Sequence, residues 1–161
     1  MTIMCDQSPH RRRALVLLGL AAMTSLAACA RDDEKSRIDT VLDVEMFSNL
    51  DRPISDIMFN GTDLGVMNKY GGTGLITGVR IPFGLQTLTW TLGGPDGTPR
   101  NGEHVSIKNS MVITPEQIPQ GARYLGLHLY PDDTAEVTFS ASMPERTARG
   151  KAIKAARQSR N

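Results

Sequence analysis

The sequence predicts an all-β fold: a small antiparallel β-sandwich of about seven strands, with a disordered N-terminal tether and a disordered C-terminal tail. Three observations predict it. From Asp39 to Ala141 the apolar residues come in short runs. Gly, Pro, Asn and Asp clusters break those runs at short intervals. Late in the chain two segments alternate strictly and are joined by Pro131-Asp132-Asp133-Thr134, which is the pattern of a hairpin.

Before the first strand lies an export signal. Arg11-Arg12-Arg13 precedes an apolar run over 14–30, which closes on Leu26-Ala27-Ala28-Cys29. Basic residues, an apolar run and small residues are the layout of a secretory signal peptide. The cysteine directly after Leu-Ala-Ala looks like a bacterial lipobox, in which the peptidase cuts before Cys29 and Cys29 carries the lipid. Residues 1–28 are then the signal peptide and 29–38 a charged tether. A transmembrane helix is the competing interpretation. It wants about 20 apolar residues, and this run has 17, with Thr24 and Ser25 among them. A twin-arginine signal fits less well, because Ala14 stands where such signals carry a bulky apolar residue. Ala30 resembles an outer-membrane sorting residue, so the expected location is the periplasmic face of the outer membrane.

The domain is expected over 39–143. Val41, Leu42, Val44, Met46 and Phe47 give a first strand, and Asn49–Pro53 a turn. Ile54, Ile57, Met58 and Phe59 give a second, ended by Asn60-Gly61, a strong turn signal. Leu75, Ile76, Val79 and Ile81 form a third strand after Gly71-Gly72-Thr73-Gly74. Leu85, Leu88, Trp90 and Leu92 form the next, with Trp90 as its one large anchor. Gly94-Pro95-Asp96-Gly97 suits a type I turn. Val105, Ile107 and Met111–Ile113 suggest another strand with an irregularity at Asn109-Ser110. Thr114-Pro115-Glu116-Gln117 resembles a helix start that Pro119 and Gly121 stop within a turn. In the hairpin, Leu125, Leu127 and Leu129 point one way. Tyr124, Gly126, His128 and Tyr130 point the other, as in a half-buried strand. Ala135, Val137, Phe139 and Ala141 complete the hairpin. Residues 144–161 hold one sizeable apolar residue, Ile153, and are expected to be a solvated basic tail.

Composition narrows the function. The two cysteines are Cys5, which leaves with the signal peptide, and Cys29. No thiol remains for a disulfide or a thiolate zinc site. Residues 29–143 carry nine Lys/Arg against fifteen Asp/Glu, while 144–161 carry six basic groups against Glu145. An acidic, exported body does not suit nucleic acid. No Gly-x-Ser-x-Gly elbow occurs. The two histidines of the mature chain are His104 and His128, the latter expected at a surface. They lack the neighbouring ligands a metal site needs, so neither metal nor cofactor is expected. Gly71–Gly74 lacks the Gly-Lys-Ser/Thr and helix of a phosphate loop and is expected to be a turn or bulge.

Several short motifs recur in a fixed order: Asn49-Leu50-Asp51-Arg52-Pro53-Ile54, Phe59-Asn60-Gly61, Gly71-Gly72-Thr73-Gly74, Val79-Arg80-Ile81-Pro82, Thr89-Trp90 and His128-Leu129-Tyr130-Pro131-Asp132-Asp133. The order resembles that of a family of small proteobacterial lipoproteins of unknown function, over 44–144. Members look like neighbours of type VI secretion phospholipase effectors. The resemblance implies an immunity role: an envelope lipoprotein, not an enzyme, that binds and blocks a lipase toxin. The family's Cys-Cys falls on Thr77-Gly78 here, so no thiol role carries over. Its late Asp-Gly is Asp132-Asp133.

Exposed loops carry binding on a rigid β scaffold. The expected protein contacts therefore lie in 60–74 and 93–102: Asn60, Asp63, Tyr70, Gly72, Asp96 and Arg100. An accessory envelope lipoprotein that binds another envelope component through a sheet edge is the alternative. A hydrolase using His104 or His128 as base ranks last.

Overall fold

The computed structural model describes residues 38–159. Cys29, the signal peptide and the tether up to residue 37 lie outside the described residues. The strands are β1 (Asp39–Ser48), β2 (Ile54–Phe59), β3 (Thr62–Asp63), β4 (Gly72–Pro82) and β5 (Gly84–Leu85). They continue as β6 (Leu88–Leu92), β7 (His104–Ser106), β8 (Val112–Ile113), β9 (Tyr124–Leu129) and β10 (Ala135–Ser140). A single 3₁₀ turn covers Pro115–Gln117, and one helix, α1, covers Ala148–Gln158. The fold is all-β, as the alternation predicts.

One sheet has the order β10-β9-β1-β4 and the other β3-β2-β6-β7, with β5-β8 as a small third sheet. The first sheet is mixed rather than antiparallel, because β1 and β9 run parallel. A parallel pair needs a long crossover, and residues 49–123 supply it by building the second sheet on the way. Both sheets share one core. Val44, Met46, Leu125 and Leu127 face Ile57, Phe59, Leu88 and Trp90, all completely or almost completely buried.

The glycine run is a bulged edge. β4 carries one extra residue against β1 between Val79 and Ile76, and another between Leu75 and Gly72. Gly78 and Gly74 take φ of +70° and +72° at these points, a conformation that needs glycine. Asp43 Oδ1 accepts from Gly78 N at 2.9 Å, and Met46 N donates to Thr73 Oγ1 at 3.1 Å. Thr77-Gly78 is thus a second copy of the Thr73-Gly74 bulge. The turn expected at Gly94–Gly97 closes one residue later. Thr98 N donates to Pro95 O at 3.1 Å, since Gly97 supplies the positive φ of +82° at the third position of that turn.

Two expectations fail together. The segment after Pro144 is not a disordered tail, and β9 is not half-buried. From Leu125 on, every residue of β9 is buried, and His128 and Tyr130 are 0% exposed. The C-terminal segment covers their face. Gly126 is where the chain comes close: a Cβ there would lie 3.1 Å from Pro144 Cβ and 3.0 Å from His128 Nε2. Gly150, in the first turn of α1, is buried against Asn49, and a Cβ there would meet Asn49 Oδ1 at 2.8 Å.

Candidate functional site

Strand β1 is the ruler of the molecule, about 30 Å from Asp39 to Ser48 at roughly 3.3 Å per residue. The loops expected to bind sort onto its two ends. Beyond Ser48, Asp51–Pro53, Asn68–Lys69 and the 94–98 loop enclose a cleft of about 320 Å³. Both loops singled out in the sequence contribute to it. Gly93 N donates to Pro53 O at 2.9 Å, and Arg52 Nη1 donates to Pro99 O at 2.7 Å, so the 93–102 loop is tied to the turn after β1. Lys69 and Asp51 are exposed at the rim.

Tyr70, Gly72, Asp96 and Arg100 belong to this end. Tyr70 takes a positive φ of +55°, and its ring lies under the Arg157 guanidinium, 4.4 Å from the centroid. Gly72 starts β4 opposite Phe47, where a Cβ would meet Met46 O at 3.2 Å. Asp96 is exposed at the tip beside Pro95. Arg100 forks onto Glu103, with both bonds at 2.8 Å, and reaches the buried Asp133 at 3.3 Å. The Glu103 hydrogen bonds, with help from Asp133, hold the Arg100 guanidinium above its usual range. Lys108 pairs with the same Asp133 carboxylate at 2.9 Å. The Arg100–Asp133 pair ties the 93–102 loop to the β9–β10 turn.

Asn60 and Asp63 lie elsewhere. They sit at the far end of β2 from Asn68. Asn60 is committed to structure: its Nδ2 donates to Gln86 Oε1 at 2.6 Å and its Oδ1 accepts from Thr87 N at 2.9 Å. Asp63 Oδ1 accepts from Gly65 N at 2.7 Å, an Asx turn. A second hollow of about 390 Å³ opens close to that end, between 85–89 and 106–110.

Arg146 closes the outer face of the first sheet. It escaped notice in the sequence, being one cation among six. Its Nη1 donates to Ser48 O at 2.9 Å and Asn49 Oδ1 at 2.8 Å; its Nη2 donates to Tyr70 O at 2.6 Å and Gly71 O at 2.8 Å. The guanidinium lies 5.3 Å from the Phe47 centroid. Burial pulls the Arg146 pKa below its usual value, partly offset by Glu45; burial likewise raises Glu45, partly offset by Arg146. The Arg149 guanidinium sits 3.8 Å from the Tyr130 centroid and pairs with Asp132 at 2.8 Å. Tyr130 Oη donates to Glu136 and shares a 2.7 Å hydrogen bond with Thr147 Oγ1. Burial, then the Glu136 hydrogen bond, pushes the phenol up to about 12.

His128 is the other correction. It is no surface histidine. It stacks on Phe47 with centroids 5.0 Å apart, its Nε2 is 3.1 Å from Thr138 Oγ1, and its buried Nδ1 has no partner. Desolvation pushes it down to about 4, so it is neutral at pH 7. His104 is exposed on β7, in the other sheet. Among the described residues, no group of three or more His, Cys, Asp or Glu is placed to hold a metal. No described helix is long and apolar enough to cross a membrane. No protein-family model matches the chain, and a comparison with curated proteins finds no match.

Proposed function

We propose that this protein is a non-enzymatic binding protein, held at the periplasmic face of the outer membrane by lipid on Cys29, that acts as an immunity protein against a type VI secretion phospholipase effector. One observation carries the binding part. The cleft formed by 51–53, 68–69 and 94–98 lies at the end of β1 opposite Asp39, where the tether joins. Loops held in place on a β scaffold are suited to binding. A concave site of this size accepts a single anchoring side chain from a protein partner, which is how interfaces concentrate their binding energy. Charges of both signs at the rim set the orientation of the partner. The lipase as target is supported by the order of the motifs that resemble the lipoprotein family.

The test is co-expression of the full chain with a type VI secretion phospholipase effector. The proposal expects the two to co-purify and cells exporting the lipase to survive only with this protein present. Unprotected cells and no co-purification defeat it. Recovery of a multi-protein envelope complex lacking the lipase supports the accessory-lipoprotein alternative.

A further inference from the structure

Several large apolar side chains are exposed on the described surface, and three of them lie near the start of β1. Ile38 is 81% exposed, Leu85 67% and Val112 46%. Backbone pairing gathers them. Ile38 O accepts from Phe83 N at 2.9 Å, Phe83 is two residues from Leu85, and Leu85 pairs directly with Val112 across β5 and β8. Contiguous exposed apolar side chains on a soluble domain mark a contact surface.

The length of chain preceding Ile38 identifies the occupant. Nine peptide steps separate Cys29 from Ile38. Fully extended they reach about 30 Å; as a coil they span roughly 17 Å. Lipid on Cys29 therefore holds Ile38 within a short distance of the bilayer at all times. At such effective concentrations a weak contact suffices, because association is already intramolecular. Residues 31–37 carry three acids and three bases, so the tether itself does not favour a charged surface.

We infer that Ile38, Leu85 and Val112 form a bilayer-docking face that seats the anchored domain on the lipid interface, with the 51–53, 68–69 and 94–98 cleft pointing outward. The inference rests on the proposed lipid anchor. Side chains of this kind bury their apolar surface at the headgroup–acyl boundary. Docking fixes the cleft about 30 Å further from the membrane than the docked face, the length of β1.

The mature chain has no free thiol once Cys29 is lipidated, so Leu85→Cys and Val112→Cys each give one labelling site, with Asp96→Cys as control. The purified full-length lipoprotein, labelled with an environment-sensitive dye, is reconstituted into phosphatidylethanolamine–phosphatidylglycerol vesicles. Docking predicts blue-shifted emission, roughly twofold brighter, at positions 85 and 112. It also predicts quenching there by spin-labelled lipid, and water-like emission at 96. Water-like emission at all three positions overturns the docking face. So does a blue shift that spin-labelled lipid does not quench, which reports a protein neighbour. Mass spectrometry of the N-terminal peptide separates the two levels. An unlipidated Cys29 overturns anchor and face together, whereas a lipidated Cys29 with water-like dyes overturns the face alone.

Discussion

Arg146 and Arg52 both donate to main-chain carbonyls, yet they build opposite kinds of surface. Arg146 gives all four of its hydrogen bonds to oxygens of the folded chain and sits against Phe47. Both of its terminal nitrogens are committed within the chain. Arg52 gives one bond, to Pro99 O, and lines an open cleft. The first region is a closed seam that holds the C-terminal segment on the sheet. The second is a rim whose loops are tied to the fold, with Lys69 and Asp51 exposed at its edge. The difference teaches where substitutions cost stability and where they cost binding.

The largest expected effect breaks the seam. Arg146→Ala removes the Arg146 donor from Ser48 O, Asn49 Oδ1 and Tyr70 O, and one of the two donors to Gly71 O, and is expected to lower stability by about 4 kcal/mol. Arg146→Lys does not restore it, because an ammonium cannot fork across four acceptors. Urea unfolding of both variants checks this, and equal stability with the parent would refute the seam.

Acid comes next. The unfolded histidine titrates near 6.5 and the folded His128 near 4, so the unfolded chain holds more protons between those values. Stability is full above pH 6.5 and falls as pH drops toward 4, by about 3 kcal/mol from this group. His128→Gln takes up no proton there and flattens the acid limb of a stability-against-pH curve. An unchanged limb rejects His128 as its source.

Smaller again is Thr147→Ala. It removes the cap on Gly150 N, at 3.1 Å, and a partner of Tyr130 Oη. A loss of about 1 kcal/mol is expected, read by thermal unfolding. Smallest is Lys69→Trp at the cleft. Its side chain is exposed, so stability should change by less than about 0.5 kcal/mol, while partner capture should fail.

The strands were legible because alternation and turn residues act locally. The same locality explains what was missed. Tyr124 to Tyr130 reads as one apolar and one polar face, and residue type alone does not say what lies on the polar face. His128 and Tyr130 are buried by a segment that itself holds little apolar surface. Arg146, Arg149 and Arg157 bind it through carbonyl oxygens and the rings of Phe47, Tyr130 and Tyr70. Cations stacked on aromatic rings leave no hydrophobic period to read. The candidate loops were legible as Gly- and Pro-rich turns. Their division was not, because it depends on β2 carrying Asn60 and Asp63 away from Asn68. Arg52, Lys69 and Thr98 went unnoticed as cleft residues because only the meeting of three loops makes a cleft.

We propose that the open cleft, and not the sealed face, engages a protein. Co-purification of a type VI secretion phospholipase effector, the proposed partner, with the parent chain and with Lys69→Trp, alongside thermal unfolding of both, tests it most directly. Capture by the parent, loss of capture by Lys69→Trp and matching unfolding temperatures are expected. Equal capture by both proteins, or no capture by the parent, would contradict it.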